Sequence, residues 1–451
     1  MTHLSVHEWG RVAVGDGNAH GFSRAQADAL LASARAHPCG GSEGTAILAD
    51  HHRHLTARQV VGVLAAKGCS LEILPKVDSA GAAEDAATVR RRLIGMLDVA
   101  LGLDLSGGGA ASLARQDETL LDILIRLFAD RLLDEVRRGL PRRYLERSDD
   151  LRALRGRMDV IRQFTIHAVR PDRLACRYDS LEADTPLLRI MKATVLFLAH
   201  YARSTETRRR LTELRHLLDE VTDVPRANLP WERVQLDRSN RRWRSLFDLS
   251  RLFLKRDWQA THHREDAGEG ITLLFAMNDL FEAYVAVLLR RSLAGEGTEV
   301  VAQGGLEYCL GKWREGEDCE ADLFQTRPDI LLRRDGRVVG IVDTKWKALA
   351  EPFEGKGGVG QSDIYQMMAY ARIYTCDDLM LLYPCRPGSP SAERIVFGMA
   401  RGCERLRIAQ IDLAGDTRTT SMDLRRLVQA ASSGCRRRPA NGAAGRTSRK
   451  R

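Results

Sequence analysis

No stretch of this chain approaches the run of about eighteen uncharged apolar residues that a membrane span requires, so no membrane segment is expected. The opening Met1-Thr2-His3-Leu4-Ser5-Val6-His7-Glu8 lacks a basic segment followed by an apolar one, which argues against secretion and leaves a cytoplasmic address as the expectation. Cysteine pairs of the CxxC kind are also missing. The nine cysteines (39, 69, 176, 309, 319, 376, 385, 403 and 435) are odd in number and scattered, and they read as reduced thiols rather than as zinc ligands or a disulfide framework. His51-His52-Arg53-His54 and His262-His263 sit in polar stretches with no matching Cys or carboxylate spacing, which reads as solvated loop. A nucleotide-binding phosphate loop is absent too. In Gly355-Lys356-Gly357-Gly358-Val359-Gly360 the lysine has no GxxxxG before it and no Ser or Thr after it.

What is present is ordinary globular material: 44% hydrophobic and 29% charged residues in 451, a length that implies two or three domains. The formal charge of +9 is concentrated at one end. Arg436, Arg437, Arg438, Arg446, Arg449, Lys450 and Arg451 supply seven positive charges with no acidic residue among them, and taking these seven away leaves +2 for the rest. The body of the protein is therefore not marked as a polyanion binder by bulk charge. The tail reads as a disordered basic arm, able to add phosphate contacts or merely to solubilise.

Four segments are expected. Residues 1–105 form a β-rich N-terminal domain, since short apolar runs such as Val60-Val61-Gly62-Val63-Leu64 and Ser70-Leu71-Glu72-Ile73-Leu74-Pro75 are separated by turn residues. A first helix is expected over 89–101. Residues 106–250 form a helical middle domain, with Leu120, Leu121, Leu124, Leu127, Phe128 and Leu132, and later Leu187, Ile190, Val195 and Leu198, recurring at three- and four-residue spacings. Residues 251–415 alternate helices and strands, and 416–451 hold a short helix and the tail. The whole is α/β in class, of the α+β multidomain kind. Arginine groups at 137–138, 142–143, 208–210 and 241–244 read as solvated helix faces or, with Trp243 among them, as a nucleic-acid contact.

The chemistry-bearing pattern lies in the third segment. Residues 328–345 read as a hairpin with Asp335-Gly336 at its tip. Asp329 opens the first strand. The second, Val339-Gly340-Ile341-Val342-Asp343-Thr344-Lys345, is apolar except for Asp343 and Lys345, which period-two geometry places on one face with Ile341. Charges on such a strand cost several kcal/mol unless they pair or hold a metal, so a structural ion pair competes with a functional reading. Phosphodiester cleavage at neutral pH calls for this set: two carboxylates to hold a cation and a lysine to face the phosphate. Hard oxygen ligands favour Mg²⁺ or Mn²⁺ over zinc. Asp329, Asp343 and Lys345 are therefore candidate catalytic residues of a PD-(D/E)XK nuclease domain. Glu282 shares a helix face with Ala286, Leu289 and Leu293 and is a candidate third metal ligand or a base acting through water, against the reading of an ordinary helix-edge glutamate. Gln366 and Tyr370, one turn apart, are candidates for orienting a nucleotide or the lysine, against plain packing of the tyrosine.

The order Phe281-Glu282, Thr326-Arg327-Pro328-Asp329, Asp343-Thr344-Lys345, Gln366 to Tyr370 and Leu381-Leu382-Tyr383-Pro384 resembles the McrC family, nuclease subunits of McrBC-type restriction systems. More particular matches lie upstream, in Leu71-Glu72-Ile73-Leu74-Pro75-Lys76, Leu154-Arg155-Gly156-Arg157-Met158-Asp159, Cys176-Arg177-Tyr178-Asp179 and Asp184-Thr185-Pro186-Leu187-Leu188-Arg189-Ile190. The resemblance covers roughly residues 60–385. It implies cleavage of modified, 5-methylcytosine-bearing foreign DNA. It also implies a McrB-like AAA+ ring as partner, which hydrolyses GTP and docks the N-terminal and middle parts of this chain; GTP is used only through that partner. Two other readings compete: a stand-alone RecB-like repair nuclease, which shares the same site residues, and a non-catalytic activator of a partner's nucleotide hydrolysis.

Overall fold

The structure, a computed structural model, describes residues 2–15, 21–40, 45–66, 68–76, 85–103, 118–170, 172–238, 240–255, 272–312, 321–349, 358–386, 388–400 and 402–429. His262-His263, residues 355–357 of the glycine stretch and the basic tail lie outside these residues. The chain divides into two compact units, one of residues 1–76 and 82–280 and the other of residues 77–81 and 281–451. It is a mixed α/β protein, and among its described residues no helix is long and apolar enough to cross a membrane.

The first unit is built on two four-stranded sheets. In one, the expected hairpin Val60–Ala66 and Cys69–Leu74 is flanked by Thr2–His7 in parallel and by Thr272–Ala276 antiparallel to Val60–Ala66. Residues 272–276 fall in the segment expected to begin the third domain, yet they complete the N-terminal sheet. The other sheet joins Gly21–Phe22, Arg11–Val14, His54–Ala57 and Leu48–Asp50. His51 and His54 stack on one another with ring centroids 4.7 Å apart. The expected first helix runs over Ala86–Leu101, but another precedes it at Arg24–Arg35. Its start is fixed by a capping box, in which the Ser23 hydroxyl accepts from Gln26 N and the Gln26 side chain accepts from Ser23 N.

Helices Leu120–Arg137, Pro186–Ala199, Thr205–Leu217 and Arg244–Leu254 realise the helical pattern read from the sequence. That part of the chain is not wholly helical. Arg143–Leu151, Arg157–Met158 and Leu174–Glu182 form a three-stranded antiparallel sheet that the periodicity does not mark. Trp243 is fully buried, which corrects the reading of it as a nucleic-acid contact. Of the arginines around it and upstream, Arg137, Arg138, Arg143, Arg210 and Arg242 are engaged in ion pairs with neighbouring carboxylates.

The upstream motifs prove to be joints of this unit. Glu72 is buried between Arg90, whose Nε and Nη2 donate over 2.9 and 2.7 Å, Ser5 Oγ at 2.5 Å and the backbone N–H of Leu120 at 2.8 Å. One carboxylate thus ties the sheet to two helices, and at Leu120 it meets a helix N-terminus, where negative charge is favoured. Asp184 holds Arg189 over 2.7 and 2.8 Å and accepts from Thr222 N and Oγ1, while Thr185 caps and Pro186 starts the following helix.

The second unit centres on a six-stranded sheet in the order Thr298–Ala302, Ile330–Arg334, Arg337–Thr344, Asp378–Pro384, Arg405–Ile411, Ala392–Gly398. The hairpin is as expected. Arg334 pairs with Arg337 across a two-residue turn in which Asp335 (φ 51°) and Gly336 (φ 76°) both take the left-handed conformation that such turns demand. A bulge follows between Leu332 and Arg333, after which the register brings Ile330 opposite Val342. Arg337–Thr344 then runs parallel to Asp378–Pro384, pairing Asp343 with Leu381. Helix Gln361–Ile373 covers one face, its Met367, Tyr370 and Ala371 packing with Leu331, Ile341, Leu379, Leu381 and Ile408. Helix Met277–Ser292, spanning the division between the units, places Phe281 against Trp346, ring centroids 5.5 Å apart.

Candidate active site

The hairpin register delivers the site. Because Ile330 faces Val342, Asp329 arrives beside the end of the neighbouring strand, where its Oδ2 accepts from Thr344 N at 2.7 Å and Thr344 Oγ1 at 2.9 Å. Both bonds fall on one oxygen, which fixes the carboxylate and leaves Oδ1 its lone pairs. Asp343, one residue along, is completely buried. Lys345 Nζ lies 2.8 Å from Asp343 Oδ2 as a charge-assisted contact, while Oδ1 has no donor among the described residues. Burial, with the Asp329 carboxylate adding to it, pushes Asp343 up to about 6, and Lys345 opposes the shift. Asp329 is likewise raised, chiefly by burial, against the Thr344 hydrogen bonds and Lys345.

Lys345 is caught on three sides. Besides Asp343 it donates to Gln366 Oε1 over 3.2 Å and lies 3.9 Å from Asp363 Oδ1. Burial works against its charge, but the surrounding carboxylates outweigh it and raise its pKa, so it is an ammonium at neutral pH. An ammonium has no acceptor, so the orientation of the Gln366 amide is forced: oxygen to Lys345, and Nε2 donating to Tyr370 OH over 2.8 Å. Tyr370 OH in turn donates to Arg327 O over 3.4 Å, two residues before Asp329. The sequence-predicted Asp329, Asp343, Lys345, Gln366 and Tyr370 are thereby brought into one connected constellation. Tyr370 both packs in the core and takes part in it, its hydroxyl pushed up to about 12 by burial.

Glu282 is placed differently. It is buried on helix Met277–Ser292, next to the Phe281 that packs on Trp346, itself the neighbour of Lys345. Among the described residues no three His, Cys, Asp or Glu side chains come together as a group that could hold a metal ion. Sequence reasoning missed two charged members of the site. Lys347 Nζ donates to Asp363 Oδ2 over 2.6 Å, and Asp363 also stands beside Lys345. A signal was available, since Asp363, Gln366 and Tyr370 are three and four residues apart along one helix face.

Whether a divalent cation fits is decided at Asp343. A buried carboxylate beside a second carboxylate, with one oxygen on an ammonium and the other without a donor, is costly, and a hard cation shared with Asp329 would offset that cost. Mg²⁺ binds through one or two carboxylates and keeps several waters, so two aspartates suffice. The residues fit. A pair of carboxylates beside a held ammonium, at the end of two central strands, defines a class of site able to take a hard cation together with a phosphate oxyanion.

The family described as McrBC 5-methylcytosine restriction system component matches residues 55–384, and the chain belongs to it. Among solved structures, one similar chain comes from the half-complex of a tetradecameric assembly of Thermococcus gammatolerans McrB AAA+ hexamers with bound McrC. It is 22% identical with a TM-score of 0.72, covering 95% of this chain and all of that one. Another, from the Thermococcus gammatolerans McrBC complex, is 25% identical with a TM-score of 0.54 over 65% of this chain and 88% of that one. The comparison with curated proteins gives no match.

Proposed function

We propose that this chain is the DNA endonuclease subunit of a McrBC-like, type IV restriction complex, with a PD-(D/E)XK nuclease domain in its second unit. In this reading it cuts modified foreign DNA when driven by a McrB-like AAA+ GTPase ring whose hydrolysis it stimulates. The observation that carries the reading is the meeting of Asp329, Asp343 and Lys345 at the strand ends, with Asp343 buried and partnered only by Lys345 among the described donors. The family match supports it further, because it begins at residue 55 and so takes in parts of the first unit that a stand-alone nuclease would not need. The solved McrB AAA+ hexamers with bound McrC supply the analogy for the partner.

Asp329 and Asp343 would hold Mg²⁺ (Mn²⁺ would serve), while Glu282, which does not group with them, would act as a base through water rather than as a third ligand. Bound there, the cation supplies Lewis acidity and a more acidic water. Thr344 fixes the orientation of Asp329 by occupying one of its oxygens. Lys345 brings a permanent positive charge to the phosphate, and Gln366, oriented by Tyr370, holds its ammonium in place.

The test is Asp343→Ala in the full chain with its AAA+ partner. DNA cleavage is expected to be lost while stimulation of GTP hydrolysis persists, and Lys345→Ala is expected to lower cleavage by about 10²-fold. Cleavage by Asp343→Ala at the wild-type rate would refute the assignment.

A further inference from the structure

Among the described residues, Asp363 is the one carboxylate of this site that neighbours both lysines: Oδ2 accepts from Lys347 Nζ over 2.6 Å, and Oδ1 stands 3.9 Å from Lys345 Nζ. It is buried, on the first turn of helix Gln361–Ile373, three residues before Gln366. Lys345 at the same time lies 2.8 Å from Asp343 Oδ2, where it competes for an oxygen that a cation needs. The ammonium therefore has two seats within reach. One is on Asp343; the other is between Gln366 Oε1, already at 3.2 Å, and Asp363 Oδ1.

We propose that Asp363 is a positioning residue that draws Lys345 off Asp343, so that a divalent cation and the lysine occupy the site together instead of excluding one another. This rests on the nuclease reading of the site. In the metal-free state Asp343 and Lys345 neutralise each other. A cation on Asp343 repels the ammonium, which moves toward Asp363 and Gln366 without losing its charge partner. Lys347 regulates the exchange, because it occupies the other oxygen of Asp363 and weakens that carboxylate's pull on Lys345. Lys347 itself is half-exposed and needs no relocation.

The position predicts a dependence that general electrostatics does not. Any lost carboxylate near a cation weakens cation binding, but only a seat for Lys345 loses its effect once Lys345 is gone. The experiment is calorimetric titration of Mn²⁺ into the full-length chain for wild type, Asp363→Asn, Lys345→Met and the double variant, with thermal unfolding to verify folding and Asp343→Asn to define the site. Lys345→Met is expected to tighten Mn²⁺ binding by removing the competitor. Asp363→Asn is expected to weaken it about fivefold in the wild-type background and less than about twofold when Lys345 is methionine. Lys347→Met, which frees Asp363 for Lys345, is expected to tighten binding more with Lys345 present than in the Lys345→Met background, and that difference provides an independent arm if Asp363→Asn does not fold. Equal weakening by Asp363→Asn in both backgrounds, or no weakening, overturns the proposal while leaving the metal site intact. Mn²⁺ binding that is indifferent to Asp343→Asn overturns the nuclease reading and this inference together.

Discussion

Replacing Asp343 by asparagine tests the site through stability rather than catalysis. The carboxyl is raised to about 6 from an ordinary 3.8 because it is buried beside Asp329. A raised folded-state value means that the folded protein binds the proton more tightly than the unfolded chain. The resulting stabilisation is fully present below about pH 3.8 and is lost as pH rises through about 6. Above pH 7 the ionised carboxylate therefore lowers stability, by at most about 3 kcal/mol, since each tenfold change in proton affinity is worth about 1.4 kcal/mol. Asparagine removes that penalty but also strips Lys345 of its ion partner, so a net gain of about 1–2 kcal/mol is expected, or about 4 °C in Tm of the second unit. The assay is thermal unfolding of the metal-free full chain between pH 4 and pH 8, wild type against Asp343→Asn. The two curves should lie closest at pH 4, separate as pH rises from about 4 to about 6, and run parallel above pH 7. Saturating Mg²⁺ should then stabilise the wild type, by about 2.7 kcal/mol at a hundredfold excess over Kd, and leave the variant unmoved. A variant no more stable than wild type at pH 8, or one equally responsive to Mg²⁺, would refute the reasoning.

Glu72→Gln leaves Arg90 buried without its counter-charge and is expected to destabilise the first unit by about 3–5 kcal/mol, measurable by urea unfolding. Gly156 has φ 68°, and a Cβ there would lie 2.4 Å from Arg177 O; Gly156→Ala should open the three-stranded sheet locally, seen as faster amide exchange along Leu174–Glu182 with little change elsewhere. Removing residues 434–451, with their seven positive charges, should flatten the slope of log affinity against log salt for DNA, each lost phosphate contact being worth about 0.9 in slope; an unchanged slope would reduce the tail to a solubilising appendage.

The sequence by itself determined the features whose cause is local. The two charges on the otherwise apolar strand ending at Lys345, the Asp-Gly pair at the turn and the one-turn spacing of Gln366 and Tyr370 each follow from a few adjacent residues. They put Asp343 and Lys345 on one strand face, and Gln366 and Tyr370 on one helix face, before any tertiary contact is known. Helix Arg24–Arg35 is not read from the sequence, because its alanine-rich body hides the period, although the Ser23 to Gln26 cap marks its start. The strand Arg143–Leu151 is not read either, because its sequence RYLERSDDL is solvated on both faces and carries no alternation to read. Tertiary structure alone decided the rest. Thr272–Ala276 joins the N-terminal sheet because Val60–Ala66 offers an open edge, a fact stored far away in the chain. Likewise Asp363 is an ordinary first-turn acid until the fold sets it against Lys345 and Lys347, and Asp343 is costly because the fold buries it beside Asp329 and leaves its Oδ1 without a donor. Periodicity records which face a residue occupies, whereas charge pairing and desolvation depend on what the fold brings to that face.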